Sequence, residues 1–274
     1  PYYQAGEKEK LPKLKMSLRD WSGFSDNFKK ALEERVLIRY VSGSRWFREK
    51  SKKIRRLRVT DTIALGTGED KKWILVCRLD FTDDKSETYV IPSAIAVHED
   101  PERIREENPG SLLAAVSIKD EEALLYDAIY DESFRENLIS LFLNKRKLKG
   151  QNGEIIIRRG KKLSAYTKIF TPPYSSRLLK IEQSNSSILY KDTFFFKLFR
   201  KLEEGINPDI EMTRHLTEKQ RYPKVPDYLG SLEYQGKKSG NAALGLLISF
   251  VQNQGDAWSY VGSSIDRFFV NVLS

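Results

Sequence analysis

Apolar positions change their period along this chain, and the changes mark its elements. Phe24, Phe28, Leu32, Val36 and Leu37 recur at helical spacing, which predicts one amphipathic helix within Trp21–Tyr40. Period-two alternation then predicts strands over Val59–Leu65, Lys72–Phe81 and Thr88–Val97, joined by turns at Gly66–Asp70 and Thr82–Glu87. A helix followed by antiparallel strands predicts a small α+β unit over about residues 16–100, preceded by a polar lead-in at 1–15.

The middle of the chain is less regular. Asp100–Gly110, charged and broken by two prolines, predicts a connection. Asp120–Asn144 carries a helical apolar stripe that includes Leu124, Leu125, Ala128, Phe134, Leu138 and Phe142, with a break near Asp131. Glu154–Arg159 and Leu163–Phe170 predict short strands, so residues 101–170 read as an intermediate region.

From 171 to 256 the pattern is crisper. Strands at Arg177–Glu182 and Ile188–Tyr190 flank a polar turn at Gln183–Ser187, and Lys191-Asp192 makes a tight reversal into the apolar strand Thr193–Arg200. Asn207 is a good N-cap, Pro208 suits the first helical position, and Asp209 and Glu211 complement a helix running to about Lys219. Tyr228–Tyr234 and Ala243–Val251 predict two further strands around a Gly236–Asn241 turn. That order of elements is the order in the small nucleotide-binding lobe of protein-kinase-like folds. Ala257–Ser274 then predicts an amphipathic helix with no closing element, as expected for the first helix of a following large lobe and for a piece of a longer polypeptide.

Composition narrows the function classes. The 274 residues include 47 Lys/Arg against 38 Asp/Glu, a formal charge of +9, with 40% apolar residues. This is too apolar for a disordered chain, and no apolar run reaches the ~18 residues of a membrane span. A single cysteine, Cys77, excludes an internal disulfide framework and multi-cysteine metal sites, and favours a reducing, cytoplasmic setting. Cys77 itself reads as a small core residue, and His98 and His215 carry no metal-ligand pattern. Arg45–Arg58 holds eight Lys/Arg in fourteen residues, interleaved with Trp46 and Phe47. The run fits a polyanion surface, but a solvated helix-to-strand segment is the favoured reading, and nucleic acid is not the expected partner.

Lys197 is the most informative single residue. Period two puts it between Phe195 and Phe199 on one face of its strand, where an ammonium must find an anion or snorkel to water. Two readings fit: a phosphate-holding lysine paired with Glu211 on the next helix, or a half-exposed lysine beside a helix-dipole glutamate. The upstream turn Gln183-Ser184-Asn185-Ser186-Ser187 lacks glycine and is neither a Walker A loop nor a protein-kinase glycine loop. Its hydroxyls and amides still provide donors suited to a phosphate.

Four ordered stretches, Ile181–Tyr190, Phe196–Arg200, Glu203–Glu211 and Val251–Trp258, closely resemble bacterial maltokinases, which occur free or fused behind trehalose synthase. Arg45-Trp46-Phe47 with Lys50 resembles the signature of their N-terminal cap. The resemblance implies a cystatin-like cap and an ATP- and Mg2+-dependent phosphorylation of maltose to maltose 1-phosphate. It matches Gln183, Ser184, Asn185, Ser186 and Ser187 to the phosphate-binding loop, Lys197 to the phosphate-binding lysine and Glu211 to its partner. Phe250, Val251, Gln252 and Asn253 match the hinge that receives adenine through backbone groups, and Trp258 follows where the hinge enters the large lobe. The family's catalytic His-Gly-Asp loop and its later metal-binding aspartate have no counterpart here: His98 precedes Glu99-Asp100, His215 precedes Leu216-Thr217, and Gly255-Asp256 lies in the hinge motif. The chain is therefore expected to hold neither a catalytic nor a metal residue and to be inactive alone. A related aminosugar kinase such as a glucosamine kinase, or a non-catalytic module partnering trehalose synthase, remain the alternatives.

Overall fold

A computed structural model describes residues 11–17, 24–68, 71–97, 100–144, 147–179, 184–237, 240–253, 255 and 257–273. The fold is α+β, built on two seven-stranded sheets. Helix α1 (Asp26–Leu32) starts at Ser25, whose hydroxyl accepts the Phe28 N–H, passes through a π-helical turn at Glu33–Leu37 and ends as α2 (Ile38–Gly43). The predicted hairpins form as β2 (Ile54–Leu65), β3 (Lys72–Phe81) and β4 (Ser86–Ala96), all antiparallel. Strand β3 is buried on both faces because the sheet has cover on both sides. Trp73, Leu75, Cys77, Leu79 and Phe81 face the helix cluster with Phe28, Leu32 and Val36, whereas Ile74 and Val76 face the second sheet.

Four sequence expectations are corrected. The lead-in contains a strand, β1 (Lys13–Met16), paired in parallel with β5 (Leu112–Ile118). Asp100–Gly110 contains a helix, α3 (Asp100–Glu107), rather than only a connection. The first half of the Asp120–Asn144 stripe is strand β6 (Glu121–Tyr126), and only α4 (Glu132–Asn144) is helical. The leucines at 124 and 125 fit either period, and pairing with β4 and β5 decides for the strand. Leu163–Phe170 holds a short helix, α5 (Leu163–Thr167), whose Leu163 alone enters the core.

The second sheet runs β7-β8-β13-β14-β11-β10-β9: Leu148–Lys149, Gly153–Arg159, Tyr228–Gly236, Asn241–Ser249, Phe194–Phe199, Asn185–Tyr190 and Ser176–Leu179. Lys191 and Asp192 both take positive φ (45° and 49°) in the β10–β11 turn, as a two-residue hairpin demands. The region 101–170 is accordingly not one unit. Its β5 and β6 extend the first sheet, while β7 and β8 extend the second.

One shared core lies between the sheets. Ile63, Leu65, Ile74, Val76, Val90 and Leu124 of the first meet Ile188, Tyr190, Phe194, Phe196, Leu198 and Leu229 of the second, with Phe134, Leu138 and Phe142 of α4 among them. Two buried carboxylates lock the seam. Asp61 accepts the Thr62, Gln151 and Asn152 N–H groups (2.7–3.0 Å) and the Tyr234 hydroxyl at 3.0 Å. Gly150 beside it has no room for a side chain, because a Cβ would stand 2.5–2.7 Å from that carboxylate. Asp127 forms the second lock with Arg200, at the end of β11. The chain then crosses into the first sheet as β12 (Lys201–Leu202), which pairs with β4.

Asp131 starts α4, accepting the Phe134 N–H at 3.2 Å, and lies 3.5 Å from the buried Lys72 ammonium. Burial pushes its carboxyl up, but the Tyr126 hydroxyl, Lys72, Ser133 and the Phe134 N–H outweigh burial and hold it below the ordinary carboxylate value. A depressed native pKa contributes stability that is present above the unfolded-state value and is lost as pH falls through the native one. Asp131→Asn is expected to cost about 2 kcal/mol at neutral pH and to flatten the acid limb of a stability profile from urea unfolding at stepped pH.

Candidate functional site

The side chain of Lys197 leaves β11 on the face opposite the shared core. On adjacent strands its register partners are Ser187 and Leu246, and these continue to Leu179 and Ser231, so one cross-sheet row holds an ammonium beside a hydroxyl. Phe199, Tyr228, Ala243 and Leu246 form a small apolar cluster on this face, with Ile210 and Ile248 packed against it. Lys197 Nζ lies 5.8 Å from the Phe199 ring centroid, and the lysine side chain is 20% exposed. It is an amphipathic stem on apolar cover with its charge at the edge of water.

Among the described residues its carboxylate partner is Asp209, at 2.8 Å, in helix α6 (Pro208–Arg214), where Glu211 was expected. Asn207 caps this helix, accepting the Ile210 N–H at 3.3 Å, and that start places Asp209 in the first turn. Ile210 then packs toward the sheet, whereas Glu211 is exposed. Both acids lay in the sequence window; only the angle of the helix on the sheet separates them.

The polar stretch resolves differently from a loop. Gln183 lies outside the described residues. Asn185, Ser186 and Ser187 belong to strand β10, and Ser184 precedes it with its hydroxyl accepting from Asn185 Nδ2 at 3.2 Å. Ser186 accepts from Arg200 Nε at 2.9 Å on the core side of the strand. Ser187 Oγ is buried and finds no hydrogen-bond partner among the described residues. That hydroxyl is thus a buried donor without a partner in the same cross-strand pair as Lys197.

Phe250–Asn253 follows β14. The Phe250 N–H is committed to the Thr193 carbonyl (2.8 Å), and Asn253 Nδ2 donates to the Val251 carbonyl at 3.0 Å. Val251, Gln252 and Asn253 are exposed beyond the end of β14, an interior strand, and α7 (Ala257–Leu273) follows them. Its residues Trp258, Tyr260, Phe268 and Phe269 are exposed, Trp258 by 89%.

Sequence reasoning missed a buried polar cluster. Arg200 and Asp127 are both buried, 2.9 Å apart. The guanidinium carbon lies 5.2 Å from the Trp46 ring centroid, and Asp127 accepts the Tyr40 hydroxyl at 2.6 Å and the Ile129 N–H at 3.0 Å. Burial, with the Asp127 carboxylate beside it, pushes the Tyr40 hydroxyl well above its ordinary value and keeps it a donor. Trp46 and Phe47 thus act structurally: Phe47 packs with Phe81 and Tyr89, and Trp46 covers Arg200. The basic run beyond it is partly spent on nearby acids: Arg55 on Asp84, Arg58 on Asp80, and Lys52 on Glu49 and Glu87. Cys77 is buried, and burial raises its thiol far above the ordinary value, so it is no nucleophile.

Among the described residues, no three or more His, Cys, Asp or Glu side chains converge as a metal site, and no helix is long and apolar enough to cross a membrane. With the first sheet, its helix cover and the Trp46 anchor in place, the comparison is specific. Residues 40–131 match the maltokinase N-terminal cap domain. The matched segment runs from Tyr40 to Asp131 and takes in Trp46, Asp127 and strands β5 and β6. Among solved structures, the chain is similar to a glucosamine kinase in complex with glucosamine, ADP and inorganic phosphate (12% identity, TM-score 0.43, 74% of this chain and 38% of that one). It is also similar to glucosamine kinase in crystal form A (13%, 0.43, 74% and 36%). The chain spans less than two-fifths of the length of these kinases.

The Lys197–Asp209 pair is partly in water, so it orients the ammonium without holding up the fold. Asp209→Asn is expected to change stability by less than about 1 kcal/mol in urea unfolding.

Proposed function

We propose that this chain is the cap and nucleotide-phosphate-binding lobe of an ATP-dependent sugar kinase whose acceptor is maltose, giving maltose 1-phosphate. The observation that carries the reading is that the segment matching the maltokinase cap is joined through β12 to the strand bearing Lys197. The donor set at Lys197 fits a nucleotide phosphate: an ammonium on apolar cover, the unpaired Ser187 hydroxyl, and Ser184 and Asn185 at the start of β10. Lys197 would take the α/β-phosphates, and the exposed segment Val251–Asn253 would offer backbone groups to adenine. Bound Mg2+ would neutralise phosphate charge, and the described residues assemble no acidic set to hold it.

What the chain's own residues do is position. Lys197 meets an anion in a partly desolvated setting, where charge-assisted hydrogen bonds are strong, and Asp209 keeps the ammonium aimed while no nucleotide is present. The sequence carries no His-Gly-Asp stretch, so the reading assigns the carboxylate that orients the acceptor hydroxyl to none of its residues.

Calorimetry with Mg-ATP tests the assignment. Lys197→Ala is expected to weaken binding by about tenfold or more, as for loss of a charged contact to a buried anion, with no fall in stability of that size. Equal affinities of the two proteins, or no binding by the unsubstituted chain, overturn it.

A further inference from the structure

We propose that Arg200 is a positioning residue that clamps the phosphate-facing hairpin, β10 and β11, to the cap, so that the cap sets the geometry of Lys197 and Ser187. Only the consequence of the clamp rests on reading that face as a phosphate site; the clamp itself stands on contacts.

Arg200 is 1% exposed and makes a different bond in each direction. Its Nε donates to Ser186 Oγ at 2.9 Å, tying β11 back onto β10 one residue before Ser187. Its terminal nitrogen meets Asp127 of the cap at 2.9 Å, and its guanidinium lies over Trp46 of the cap. Its carbonyl accepts the Val90 N–H at 2.7 Å, which opens the β12–β4 pairing. Three residues before it in β11 is Lys197. Side chain and backbone of one residue therefore join both strands of the hairpin to three cap elements, β4, the segment after β6, and the Trp46 turn.

A guanidinium suits this place because it donates from Nε to Ser186, holds its charge against Asp127 as an ion pair, and lays its face on an indole. Lysine would keep the charge and lose both the Nε donor to Ser186 and the flat face on Trp46. The rest of the seam provides a comparison. Tyr234 joins the second sheet to Asp61 by one hydrogen bond, from β13, which pairs with β14 and β8 and not directly with β10 or β11. Loosening that bond disturbs the cap–lobe contact without touching the clamp.

The test needs no nucleotide. Hydrogen exchange is followed by mass spectrometry in the full chain for Arg200→Lys, Asp127→Asn and the comparison Tyr234→Phe. Arg200→Lys and Asp127→Asn are expected to speed exchange about tenfold or more in Asn185–Tyr190 and Phe194–Phe199, leaving Gly153–Arg159 near its original rate, as for a local opening. In the same variants, amine labelling of Lys197 by acetic anhydride should rise relative to Lys162, an internal standard paired with Asp227 at 2.6 Å. Tyr234→Phe should move neither readout at the hairpin. A uniform rise across both sheets means a merely structural ion pair and overturns the proposal, as does an unchanged hairpin. If Arg200→Lys does not fold, Asp127→Asn decides by the same criteria. Failure of the nucleotide reading shows instead in the calorimetry of Lys197→Ala, which leaves the exchange result standing.

Discussion

A guanidinium and a carboxylate removed from water together, Arg200 and Asp127, are the constraint around which the two halves of this protein are arranged. Neither charge is tolerable alone at that depth; removing one partner of such a pair costs about 3–5 kcal/mol. Everything nearby follows from keeping both satisfied. Tyr40 must donate, Trp46 must cover the cation, Ser186 must receive Nε, and the main chain must turn from one sheet into the other at that residue. Asp61 repeats the solution at the far end of the seam with neutral donors, three backbone N–H groups and a tyrosine hydroxyl.

Those locks explain how a fold with an exposed outer face can present a lysine usefully. The inner faces of both sheets are consumed by a single core, and α1 and α2 consume the outer face of the first sheet. What is left is the outer face of the second sheet, where α6 covers one part through Ile210 and Lys197 occupies the margin of that cover. The site is thus the residue of the packing: the only apolar cluster of the described residues that is small and open lies beside the ammonium.

Much of this was legible in the chain. Alternation located β3, β4, β8, β11, β13 and β14, and the Asn207-Pro208 signal placed α6. The placement of Lys197 between Phe195 and Phe199 was also a matter of period two. The failures have physical causes. Leu124 and Leu125 satisfy strand and helix periods alike, so β6 needed its pairing partners to be seen. Leu163 and Phe170 are the apolar ends of a stretch that reads as a strand, yet they reach the core from a short helix and from the residues after it. A five-residue helix is too brief to display a period of its own. Asp209 and Glu211 differ by two residues, and tertiary angle chose between them. Arg200 and Asp127 lie 73 positions apart with no motif connecting them, and nothing in local patterning announces a pair of that separation.

The crossing of the chain from β11 into β12 has a consequence for anyone cutting the molecule. Residues 40–131 form a recognisable domain by sequence, yet Ile63, Leu65, Ile74, Val76 and Val90 would be bare on its inner side after excision, and β4 would lose a hydrogen-bonded neighbour. Transplanting that segment onto a foreign lobe would carry half an interior with it. The unit that evolution or an engineer can exchange whole is the pair of sheets, not either one.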